Sequence, residues 1–126
     1  DISRPPRLLR LIGSGFSQLS GEDATALPYL AAGGHGCISV SSNIVPHLLS
    51  EMHNSWKNGD MNGAFKIHLK LINFHDAMFC ESSPGPVKFA AEKIGLCKSE
   101  ARLPIVKIAE SSAQQVLYAL KECELI

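Results

Sequence analysis

Apolar positions in the first forty residues come in short runs broken by glycine, whereas after residue 43 they settle into helical spacing. Arg7–Ile12 predicts a short helix with Pro5 and Pro6 near its first turn, where proline is tolerated, and Gly13-Ser14-Gly15 stops it. Residues 16–20 alternate apolar and polar and predict a strand that ends at Gly21. A helix is expected from Glu22 or Asp23 through Ala24, Ala26, Leu27, Leu30 and Ala31, stopped by Gly33-Gly34. A second strand is expected over 36–40, with Ser41-Ser42-Asn43 as the N-cap of the helix that follows. This order of helix, strand, helix and strand favours parallel βα units.

Beyond Asn43 the pattern is helical throughout. Val45, Leu48, Leu49, Met52 and Trp56 share a face until Asn58-Gly59. Asp60 can cap a longer helix that carries Met61, Ala64, Phe65, Leu69, Ile72 and Phe79. A helix started by Pro84 or Pro86 turns Val87, Ala90, Ala91 and Ile94 inward and stops at Gly95. Ser112 with Gln115 resembles a capping box opening a last helix with Val116, Ala119, Leu120 and Cys123 on its apolar face. Two strands cannot bury a parallel sheet, because such sheets need cover on both faces and pairing on both edges. Residues 1–59 therefore read as the last segment of a larger barrel, and residues 60–126 as a helical domain beside it. The inner faces of 16–20 and 36–40 are expected to be exposed in the isolated chain, which favours oligomers or a partly molten state.

Composition narrows the possible chemistry. With 126 residues the chain can build one sizeable core, and 12 basic against 12 acidic residues give no field for nucleic acid or anionic lipid. No apolar run approaches the ~20 residues of a membrane span. Cys37, Cys80, Cys97 and Cys123 are widely spaced and read as buried thiols in a reducing, cytosolic compartment. Asp1 in place of Met gives the look of a chain from which something upstream has been removed.

The five histidines form no His-Glu-x-x-His or Cys/His cluster, so surface or interface roles are expected and no metal. His68 and His75, seven apart, could still share a helix face. Cys37 reads as a small buried thiol rather than a nucleophile. Gly33, Gly34 and Gly36 precede a strand, the wrong order for a dinucleotide fingerprint, and read as a tight turn. Gly21-Glu22-Asp23 is either a strand stop with an acidic helix start or an edge that faces a ligand.

Four motifs bear a specific likeness. Leu19–Asp23, then Gly33–Val40 with Asn43, then Phe79–Lys88, then Arg102-Leu103-Pro104 resemble, in order and spacing, the C-terminal part of the dihydrodipicolinate synthase family. The resemblance covers essentially the whole chain, and Ile38-Ser39-Val40 is closer to the synthases than to the sialic-acid lyases that share their fold. It implies an α/β fold, a (β/α)8 TIM barrel with a small all-helical C-terminal domain. Strands 16–20 and 36–40 are then the seventh and eighth of the barrel.

The implied activity is that of a lyase of lysine (diaminopimelate) biosynthesis, a cytoplasmic homotetramer without a cofactor. It condenses pyruvate with aspartate semialdehyde through a lysine Schiff base. That lysine, with its Thr, Tyr and Arg partners, is expected upstream of Asp1, so the chain alone is expected to be inactive. Ile38 and Gly21 match substrate-binding positions, the first packing on pyruvate and the second edging the pocket with its carbonyl. Ser83 stands where many members have a structural Asn, and Lys88 is expected on a helix surface or barrel contact. Another pyruvate aldolase on the same scaffold, or a freestanding helical interaction module, are the alternatives.

Overall fold

The computed structural model describes residues 1–126. Helix α1 (Arg4–Ile12) starts three residues earlier than expected, with proline in its first turn, and only Pro5 of it is buried. Strand β1 (Leu19–Ser20) and strand β2 (Gly36–Cys37) are parallel, with Leu19 paired to Gly36 and Ser20 to Cys37. Helix α2 (Ala26–Ala31) lies between them, so the unit is a βαβ crossover.

Both strands are shorter than the 16–20 and 36–40 read from the alternation. Bonds from the His35 amide to the Gln18 carbonyl and from the Ile38 amide to the Ser20 carbonyl, each 2.8 Å, extend the ladder by one step at either end. Beyond them there is nothing to pair with. Phe16 is exposed, and the amides of Val40 and Ser41 turn away to the Asp23 carboxylate. Alternation marks a strand's faces, but a ladder needs a neighbour. Helix α2 also starts late, at Ala26 rather than at residue 22 or 23. At the turn into β2, Gly33 has φ +98°, and a Cβ on Gly34 would fall 2.1 Å from the Tyr29 ring.

Ser41-Ser42-Asn43 forms a 3-10 turn rather than an N-cap, and helix α3 (Pro46–Lys57) starts only after it, on a proline. Helix α4 (Met61–Met78) is capped as expected, Asp60 Oδ1 accepting the Gly63 amide at 2.9 Å. Helix α5 (Gly85–Lys93) and helix α6 (Glu110–Glu122) complete the chain. Ser112 lies inside α6 and opens no capping box. The start of α6 is tied instead to Glu81, whose Oε1 accepts the Ala109 amide at 2.8 Å.

One apolar core runs from Ala26, Leu27 and Leu30 on α2, through Leu49 and Met52 on α3, to Leu71, Phe74, Val116 and Leu120 on α4 and α6. The faces expected for α3, α5 and α6 are buried or half-buried. The expected face of α4 is rotated. Of that face Met61, Phe65, Leu69 and Phe79 are exposed, Ile72 is half-buried and only Ala64 is buried, whereas His68, Leu71, Phe74, His75 and Met78 point inward. Helix α4 is apolar on two sides, so periodicity alone could not choose between them. The opposite side of the strand pair is open, with Phe16, Leu19 and Ile38 exposed as expected for an uncovered barrel face. No helix is long and apolar enough to cross a membrane.

The two sides of α4 should differ sharply in their contribution to stability. Leu71→Ala, at a position with no exposure, is expected to cost about 2–5 kcal/mol in urea unfolding, and Phe65→Ala about 0.5 or less. A larger cost for Phe65→Ala than for Leu71→Ala would mean that α4 sits in the core by its other face.

Candidate functional site at the strand ends

Continuing the parallel register one step past Ser20 and Cys37 sets Gly21 beside Ile38 at the C-terminal ends of the two strands. That end is where parallel α/β barrels place their ligands. The structure thus brings the two expected binding positions together. The Ile38 amide is used by the Ser20 carbonyl, and its side chain is 70% exposed, while Cys37 and Ser39 on either side are half-buried. This alternation aims Ile38 at the open side. Around Gly21 a Cβ would meet nothing within 4 Å. An open concavity of about 600 Å³ between α1, β1 and α2, bordered by Leu8, Leu19 and Tyr29, reaches Gly21 and is not lined by Ile38.

Beneath this mouth lies a buried polar chain that the sequence reading missed. Asp23, 2% exposed, accepts the Val40 amide at 2.9 Å and the Ser41 amide at 3.1 Å through Oδ2. The fully buried Ser41 places its Oγ 2.7 Å from His75 Nδ1 on α4. Asp23 stands where the sequence predicts a helix start, and nothing local signals a bond to a backbone 17 residues away. The His68/His75 spacing was the available hint, and their rings do share a face, 6.4 Å apart.

His68 and His75 are buried in the core rather than at a surface, because they fall on the inward side of α4. Burial pushes the His75 pKa down, with the charge of His68 adding to the effect and that of Asp23 opposing it. Burial alone lowers His68 and His53. Burial first, and then the Asp23 charge, push the Cys37 thiol up to about 11, which leaves it protonated and unreactive at neutral pH. No group of three His, Cys, Asp or Glu residues converges as a metal site. Lys88 lies half-buried on α5 with its ammonium donating to the Glu100 carbonyl, in a local structural contact. Ser83 is exposed in the turn before α5.

A parallel βαβ unit with exposed strand ends and a helical bundle on one flank is the closing part of a (β/α)8 barrel with its helical extension. The family model described as "Dihydrodipicolinate synthetase family" matches residues 1–123, and the chain belongs to that family. It is 45% identical over 126 residues to the 4-hydroxy-tetrahydrodipicolinate synthase of Gluconobacter oxydans, covering all of this chain and 42% of that protein. The dihydrodipicolinate synthase structure from Thermotoga maritima matches with a TM-score of 0.94 at 34% identity, over 100% of this chain and 44% of the other. The structure of the Acinetobacter baumannii synthase, described as chloride-inhibited and complexed with pyruvate, matches with a TM-score of 0.92 at 34% identity, over 100% and 43%. The chain therefore spans less than half the length of these relatives and corresponds to their C-terminal part.

The buried imidazoles fix the sign of the pH dependence. Their folded-state pKa values lie below the ordinary 6.5, so between the two values the unfolded chain binds more protons than the folded one. The stability these rings contribute is fully present above about pH 7 and is lost as pH falls through 6.5 toward the folded values. Melting temperature is expected to be lower at pH 5.5 than at 7.5, and His68→Gln should flatten the difference. A melting point that holds or rises on acidification contradicts the burial of these rings.

Proposed function

We propose that this chain supplies the last two strands and the helical extension of a class I, pyruvate-dependent synthase. Residues 1–59 form the end of the barrel and residues 60–126 the helical domain. The reaction is the condensation of pyruvate with aspartate semialdehyde on the route to lysine through diaminopimelate, in the cytoplasm and in a homo-oligomer. The observation that carries the reading is the placement of Gly21 and Ile38 side by side at the open strand ends, in a chain whose matched relatives include a pyruvate complex.

A Schiff-base step needs a lysine whose amine is neutral in a low-dielectric pocket. The eight lysines here lie on α3 to α6 or in the connections of the helical part, and none is on β1, β2 or the loops after them. The nucleophile of the reaction is therefore outside these 126 residues. Within them, Ile38 supplies an apolar wall and a fixed peptide against the substrate, and Gly21 supplies a carbonyl with no side chain in the way. Neither moves a proton. The contribution is shape and positioning at the mouth.

Treatment with pyruvate and borohydride is expected to leave the mass of this chain unchanged. With the preceding barrel portion of a relative added as a separate polypeptide, the reduced adduct should appear on that polypeptide. An adduct on any of the eight lysines overturns the assignment. In the reassembled enzyme Ile38→Gly should raise the pyruvate KM several-fold and Ile38→Val only slightly. A lowered melting point with unchanged KM makes Ile38 a packing residue and removes it from the site.

A further inference from the structure

We propose that Asp23 is a positioning residue, whose carboxylate, working with the Ser41–His75 pair, fixes the backbone that carries Ile38 beside Gly21. Every backbone amide that leaves a ladder for the interior needs another acceptor. The amides of Val40 and Ser41 have left the strand ladder and have no acceptor other than Asp23 Oδ2, at 2.9 and 3.1 Å. An amide buried without a partner is costly, and a carboxylate is a stronger acceptor than a neutral carbonyl.

The neighbouring residues are secured from other sides. The Ile38 amide goes to the Ser20 carbonyl, and Ser39 Oγ accepts the Ser42 amide at 2.8 Å. Ser41 Oγ meets His75 Nδ1, and His75 is 1% exposed within α4. Ile38 is thus tied to β1, Val40 and Ser41 to Asp23 and Ser41 also to α4, while Ser39 and Ser42 are bonded to each other within the turn.

Asp23 is also two residues from Gly21 in sequence, so its carboxylate ties the chain just past Gly21 to the segment just past Ile38. Ser20 Oγ completes the turn, accepting the Glu22 amide and donating to the Glu22 carbonyl, both at 3.0 Å. The far oxygen of Asp23 is buried without a partner, so this carboxylate is retained against a desolvation cost. Site positions are held accurately when supporting side chains are themselves locked. The value of this for ligand binding rests on the function proposed above, but the anchoring itself does not.

Hydrogen exchange on the full 126-residue chain tests the inference. Asp23→Ala should speed exchange at Val40 and Ser41 by about tenfold or more, the scale of one lost charge-assisted bond, relative to the amides of α4 and α6 in the same sample. Asp23→Asn keeps an acceptor oxygen and should restore most of the protection. Should Asp23→Ala fail to fold, Asp23→Asn together with Ser41→Ala decides the matter. Asp23→Asn should stay close to wild type at Val40 and Ser41. Ser41→Ala should shift the His75 imidazole nitrogen resonances while leaving the Val40 amide protected by Asp23. Unchanged exchange in Asp23→Ala overturns the proposal. Acceleration spread evenly over the chain, or unmoved His75 resonances in Ser41→Ala, does so too. The pyruvate adduct experiment is separate, so the anchoring can stand if the function fails, and the reverse.

Discussion

A parallel strand pair cannot be stable by itself, because each strand offers two faces and an outer edge to water. Here one side of the pair is covered by a helical core that begins on α2 and continues through α6. The βα crossover is therefore held by packing more than by its ladder, which pairs only two residues from each strand. The other side presents Phe16, Leu19 and Ile38 to solvent. The location of the candidate site depends on this asymmetry, since Gly21 and Ile38 meet at the strand ends and Ile38 projects from the exposed side.

Much of this was legible in the sequence where a local rule applies. The Asp60 cap, the helix-breaking glycines, and the apolar faces of α3, α5 and α6 each follow from spacing and side-chain chemistry over a few residues. The strand positions were legible and their lengths were not, because pairing depends on a partner that sequence alternation does not contain. The face of α4 was misassigned since Met61, Phe65 and Leu69 offer an apolar stripe as good as the one actually buried.

At the strand ends the proposed binding pair, Gly21 and Ile38, comes from the family likeness, and the register sets the two side by side. The illegible part was the support beneath it. Asp23, Ser41 and His75 are separated by 18 and 34 residues, and none stands in a recognisable motif with the others. A buried carboxylate bonded to distant amides leaves no local trace. Only the three-dimensional arrangement shows that one acid residue replaces the strand neighbour that Val40 and Ser41 lack.

Glu81 does something comparable at the far end of the molecule. Hydrogen bonds from Ser112 and the Ala109 amide hold its carboxyl below the usual range and fasten the start of α6 to the turn that follows α4. The stretch from 82 to 108, which contains α5 and a long irregular return, is thereby a closed excursion whose two ends are already joined. Closing a loop costs only about 0.6 kcal/mol more for each doubling of its length. Within this excursion α5 is itself fixed in the core through Val87 and Ala90, so the part that the closure leaves free to change length is the exposed return after Gly95, which can do so without moving the seat of α6.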